Sequence, residues 1–220
     1  MSRKTSLAAK GTILLAAAML TGCAFVPDTV HPAYAPNTTD TKIAPASNIR
    51  VYVLAQNRKK HKNEISVEKD GYDIPMAGVY MHVAKDFKAA LETALADRGF
   101  TISKDHGDEM VVVINHFFSH ETNGFSGITQ NGDSSVLVKI SKNGRAYLTK
   151  RFSVQNLKLQ TGVINFSTLA YRSKIAKALL NKIVNQIVSD SQVIDALFQA
   201  AGKTPPANLG VTVPASVSAN

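Results

Sequence analysis

The sequence predicts an α+β domain: an antiparallel or mixed β-sheet of about four to five strands with two helices packed on one face. Three observations lead there. Apolar residues recur at helical spacing twice, once from Val83 to Leu95 and again from near Leu169. Between those stretches Val111, Val112, Val113 and Ile114 form an unbroken β-branched run, suited to a central strand. Lys142-Asn143-Gly144 then separates two strand-like runs and is the strongest local hairpin signal in the chain.

The amino terminus reads as a processing signal, outside the fold. Arg3, Lys4 and Lys10 make a positive first region, Ile13 to Leu20 an apolar one, and Leu20-Thr21-Gly22-Cys23 closes it. The apolar run is too short to span a bilayer, which takes ~20 apolar residues. The closing four residues resemble the lipobox of bacterial lipoproteins, which makes 1–22 a signal peptide and Cys23 the lipid attachment site. Cys23 is the single cysteine of the 220 residues, so no intrachain disulfide, thiol nucleophile or cysteine metal site is available. Each buried acyl methylene contributes ~0.8 kcal/mol, and two or more chains anchor firmly. Ala24 after the cysteine resembles the signal for the outer membrane. Loss of Arg3, Lys4 and Lys10 takes the formal charge from +9 to +6, a modest basic excess that in an envelope meets anionic headgroups and acidic partners, not nucleic acid.

Residues 23–47, with prolines at 27, 32, 36 and 45 and no sustained apolar period, are expected to be a lipidated, flexible tether. Residues 202–220, with Pro205-Pro206 and Pro214, are expected to be a disordered tail. The 48–201 stretch between them is long enough for one core. Within it, Ile49 to Leu54 is a strand, and Gln56 to Met81 a long polar loop with room for a small hairpin. Val83, Phe87, Leu91, Ala94 and Leu95 make the first helix, stopped by Arg98-Gly99. Phe100 to Ile102 and Met110 to Phe118 follow as strands around a turn at Asp105 to Asp108. At the hairpin, the apolar pattern favours a three-residue loop with Ile140 opposite Ala146 and Val138 opposite Leu148. In the last helix Ile175, Leu179, Ile183 and Ile187 share one side, while Arg172, Lys174, Lys177, Asn181 and Asn185 face away. The spacing of Ser189 and Gln192 predicts a break and a capped restart there.

Through the lipobox, Leu95-Ala96-Asp97-Arg98-Gly99-Phe100, the hydrophobic strand after it, the Asn143-Gly144 hairpin and the closing helix, the chain resembles the YajG-like family of bacterial lipoproteins over Ile49 to Ala201. That resemblance brings no catalytic residue or cofactor to any position.

The residues themselves offer little chemistry. His116 and His120 sit four apart, but on a strand that is ~13 Å, too far to share one ion. Asp105, Asp108 and Glu109 lack the spacing of a calcium loop. No nucleophile elbow, phosphate loop or dinucleotide fingerprint is present. The basic run Arg58 to Lys62 and the glycine-rich stretch Glu121 to Ser134, read as a flexible loop exposing Phe125 and Ile128, are the surface features left. The expectation is an outer-membrane-anchored, periplasm-facing lipoprotein without enzymatic activity, cofactor or metal. It would serve as a binding or accessory subunit of an envelope transport or secretion assembly, through a strand edge or the basic face of the last helix. The alternative is a carrier of lipid or glycan.

Overall fold

A computed structural model describes residues 27–36, 41–69, 74–124, 127–160 and 169–206, and only the backbone at 123, 124, 127 and 128. The expected signal peptide, Cys23 and most of the expected tail lie outside these residues. Among the described residues, eight strands and three α-helices follow in the order β1 (Asp28–Thr29), a 3-10 turn (Ala44–Asn48), β2 (Arg50–Asn57), β3 (Glu64–Lys69), β4 (Pro75–Tyr80), α1 (Val83–Asp97), β5 (Thr101–Ser103), β6 (Asp108–Gly124), β7 (Gly127–Lys142), β8 (Arg145–Gln160), α2 (Leu169–Val188) and α3 (Ser191–Ala200).

The strands make two sheets where the sequence suggests one. A mixed five-stranded sheet runs β5-β2-β6-β7-β8, and a small one runs β1-β4-β3. β2 pairs in parallel with β5 and β6; β6, β7 and β8 pair antiparallel. One face of the large sheet presents Val51, Val53, Met110, Val112, Ile114, Val136, Val138, Ile140, Phe152 and Val154 to a single core shared with Phe87, Leu91 and Leu95 of α1, Leu179, Ile183 and Ile187 of α2, and Ile194, Leu197 and Phe198 of α3. The third helix comes from the break near Ser189. Its cap is Asp190, which accepts from the Val193 amide at 3.2 Å, in place of the expected Ser189. Asp and Ser cap about equally well, and Asp190 also pairs with Lys150 at 2.6 Å.

At the end of α1, Gly99 takes φ +98°, while its amide and that of Phe100 donate to the carbonyls of Ala96 and Leu95. This is the glycine stop read from the sequence. Gln56 to Met81 holds the hairpin for which it has room, β3 and β4 pairing antiparallel, and is less of a loop than its polarity suggests. Ile65, Val79 and Met81 reach the core and Ser66 is buried, an alternation too irregular to read as strands from sequence.

The Asn143-Gly144 turn has two residues, not three, with φ of +50° and +79°. Lys142 faces Arg145, and a bulge beside Ile140 then brings Ile140 opposite Leu148 and Val138 opposite Lys150. Placing the extra residue in β8 still keeps the apolar side chains of β7 inward. Glu121 to Gly124 and Gly127 to Ser134 are strand also, since β6 and β7 continue their ladder to Gly124 and Gly127, while Phe125 and the Ile128 side chain, expected to be exposed, lie outside the described residues. Polar cross-strand pairs such as Gln130 with Glu121 and Asn131 with Thr122 hold that extension, where an apolar signature is missing.

Residues 27–36 and 41–47 pack onto the domain instead of forming a tether. β1 pairs with β4, the Val30 amide donates to the Tyr80 carbonyl at 2.8 Å, and Val30, Ile43 and Ala46 lie in the core. Proline-rich composition masks these few apolar anchors, and extended chain needs only a few to dock. The polar side of α2 receives this strap: Tyr34 hydrogen-bonds Asn185, and the Ala35 amide donates to Asn181.

Candidate functional site

Two features stand out on the surface of the large sheet, the first of them flanked by bulges. The first is a cleft on the face away from the helices. His116, Ser135 and Ser153 lie side by side across β6, β7 and β8. Register shifts after Ile114 in β6 and between Gly132 and Ser134 in β7 flank this row. Bulges twist strands locally, and here they open a cleft of about 410 Å³ that Asp133, Arg151 and Asn156 complete. Asp133 is committed to the fold, because its carboxylate accepts the amide of Asn156, a residue held at φ +52°. The Ser134 hydroxyl donates to the His116 carbonyl. Histidine, aspartate and serine therefore meet in one cleft, yet among the described residues no hydrogen bond joins the His116 ring to Asp133, Ser135 or Ser153.

The second feature is the edge of the sheet. β8 is a 16-residue strand, and among the described residues it pairs with β7 alone. Arg145, Arg151 and Lys158 are exposed along it. Lys150 is held inward, donating to Asp190 at 2.6 Å and to Gln192 at 2.8 Å.

The other sequence candidates are dispersed. Asp108 is buried and pairs with Lys142 at 2.9 Å, Glu109 accepts from Ser141, and Asp105 meets His106, so the acidic turn is used up in separate contacts. His116 and His120 are both exposed on β6 and do not converge. In the basic run, Arg58, Lys60, His61 and Lys62 are exposed, but Lys59 is buried and donates to the Glu64 carbonyl at 2.6 Å. Burial lowers its pKa from 10.5 to about 8, against the opposing pull of the Glu64 charge.

Arg172 departs from its expected place on the outward side of α2. It is buried, with Glu68 at 3.1 Å and Glu121 at 3.3 Å. The exposed basic face of the helix thus shrinks to Lys174, Lys177 and Lys182, and the strap covers part of its polar side. Metal-ligating side chains gather at one place among the described residues: His31, His82 and Asp86 each bring a ligand atom within 4.8 Å of the others. His82 and Asp86 lie at the start of α1, but nothing local in the sequence joins them to His31 in the presumed tether.

A family model described as "Uncharacterized lipoprotein" matches residues 36–197. No curated protein matches the chain. Among solved structures, the fold is similar to a Xanthomonas campestris protein of the DUF330 family, with TM-score 0.52 at 11% identity over 74% of this chain and 92% of that one. A putative neuraminyllactose-binding hemagglutinin homolog from Helicobacter pylori gives TM-score 0.43 at 11% identity over 79% and 98%. A minor lipoprotein from Acinetobacter baumannii gives 0.35 at 14% over 65% and 90%. The first likeness is one of fold alone, and the other two carry no argument. No helix among the described residues is long and apolar enough to cross a membrane. With its α+β fold and a family match that runs from the strap through most of α3, the chain belongs to the YajG family of lipoproteins.

Proposed function

We propose that this lipoprotein is held in the outer membrane through a lipid on Cys23, faces the periplasm, and works as a non-enzymatic accessory subunit of an envelope assembly. In this reading it receives a strand of its partner along β8. The observation that carries it is the long β8 edge, a row of backbone donors and acceptors with no described strand beside it. Such an edge recruits extended segments by main-chain hydrogen bonding, and alternate side chains supply selectivity. Arg145, Arg151 and Lys158 favour an acidic segment and discourage self-pairing. Photocrosslinkers placed at Gln155 and Lys158 in living cells, with Lys177 on α2 as comparison, test the proposal. Adducts to one envelope protein from the β8 positions alone are expected. Adducts from Lys177 alone would move the interface to the helix, and none from any position would remove the accessory role.

A second reading, a glycan carrier, draws on the His116–Ser135–Ser153 row, whose hydroxyls and neighbouring Arg151 suit a sugar better than an acyl chain. Native mass spectrometry of the mature protein purified from its own envelope should then show a retained saccharide. A spectrum of bare protein ends that reading.

A further inference from the structure

We propose that His31, His82 and Asp86 form a binding site for a divalent transition-metal ion, zinc by first choice, which clips the N-terminal strap to the start of α1. The ligand atoms of the three side chains already lie within 4.8 Å of one another. A tetrahedral zinc site with bonds of 2.0–2.1 Å needs donors ~3.4 Å apart, so each must move inward by about an ångström or less. Two of them are free to do so. His31 and His82 are exposed, their rings stack at 5.4 Å, and neither side chain makes a hydrogen bond among the described residues. The third donor has an open oxygen: the Asp86 carboxyl meets the His82 backbone amide, and its Oδ2, shut off from solvent, has no hydrogen-bond partner among the described residues. Buried carboxylate oxygens are normally satisfied, and this one stands beside two imidazoles, a combination that suits a cation.

The donor set selects the ion. Two imidazoles and one carboxylate suit zinc, copper or nickel, whereas magnesium and calcium require oxygen ligands throughout. An open cleft of about 380 Å³, lined in part by Pro32, Tyr34, Ala90 and Thr93, leaves space for water in the remaining positions.

The consequence lies in where the donors stand in the chain. His82 stands at the N-cap position of α1 and Asp86 lies in its first turn, while His31 follows β1, whose pairing with β4 covers only two residues. An ion would add a cross-link between two points 51 positions apart, beside the short β1–β4 pairing. It would thereby fix where the lipid-proximal chain leaves the domain.

The mature lipidated protein in detergent micelles, titrated with zinc alone, tests the site. One zinc per chain is expected, with affinity at least about tenfold weaker in His31→Ala, His82→Ala and Asp86→Asn, since loss of a ligand should cost no less than loss of its supporting groups. His106→Ala, whose ring lies against Arg50 and Asp105 and outside the cluster, should bind normally, and millimolar magnesium should not compete. Hydrogen exchange supplies the second readout: zinc should slow the amides of residues 28–34 in wild type but not in His31→Ala, which, being exposed, should fold normally. Failure of wild type to retain zinc, or retention unaffected by the three substitutions, overturns the site. Zinc bound at these residues with strap exchange unchanged overturns the clip.

Discussion

Lys59 and Arg172 are both cations that sequence alone would leave in solvent, and each is buried for a different reason. Lys59 is buried in the connection between β2 and β3, where its ammonium reaches the Glu64 carbonyl. Its pKa is lowered to about 8, so the unfolded chain binds that proton more tightly than the folded one. The penalty for burying the charge is complete below pH 8 and fades as the pH rises toward 10.5. Measured by urea unfolding, the stability of wild type relative to Lys59→Met should therefore increase between pH 8 and 10, by roughly 1–2 kcal/mol. A difference that stays flat means the ammonium is hydrated. Arg172 instead joins three elements, since Glu68 belongs to β3 and Glu121 to β6. Changing it to Ala leaves two carboxylates facing each other without a cation and should cost about 3–5 kcal/mol in the same assay. Lys should rescue only in part, because an ammonium lacks the planar fork that meets two carboxylates at once. Neither burial was legible in the sequence. A single charged residue on the edge of an apolar stripe looks the same whether its partner is water or a glutamate far along the chain.

Elements with a local cause were legible, and those with a distant one were not. The α1 stop is written in Arg98-Gly99-Phe100, because the glycine satisfies the last carbonyls within its own turn. The break between α2 and α3 is similarly local, although the cap falls on Asp190. Asp190 serves two elements, accepting from the Val193 amide and binding Lys150 of β8. Asp190→Ala should therefore lower stability by about 1–2 kcal/mol, the usual cost of a lost cap. Asn, which keeps the cap and loses the charge, should recover most of it. If Asn is as damaging as Ala, the Lys150 contact dominates. The second sheet, by contrast, depends on Ile65, Val79 and Met81 finding a core built mainly from later residues. Nothing within Gln56 to Met81 announces that. The β8 register shows the same limit: the turn residues fix where the chain reverses, but the bulge answers to how β8 packs beneath α2 and α3.

For the whole molecule, the question is where the anchor ends and the domain begins. The composition of residues 23–47 placed the boundary at residue 48, whereas Val30, Ile43 and Ala46 draw it back to within a few residues of Cys23. Removing everything before residue 48 strips at least two large apolar side chains from the core, each contributing about 1.5–3 kcal/mol when fully buried. A chain beginning at residue 48 should consequently melt well below one beginning at residue 24, and equal melting temperatures would restore the tether. Substitution at the proposed lipid site should behave in the opposite way. Cys23 precedes the first described residue, so Cys23→Ala should leave the fold and its melting temperature unchanged while removing the acyl chains that this proposal puts there for firm membrane affinity. Fractionation should then find either uncleaved precursor retained by its apolar signal segment or, if another peptidase acts, a soluble periplasmic form. Metabolic labelling with a fatty-acid analogue decides the matter directly: label should vanish with Cys23→Ala, and label retained would place the lipid on another residue.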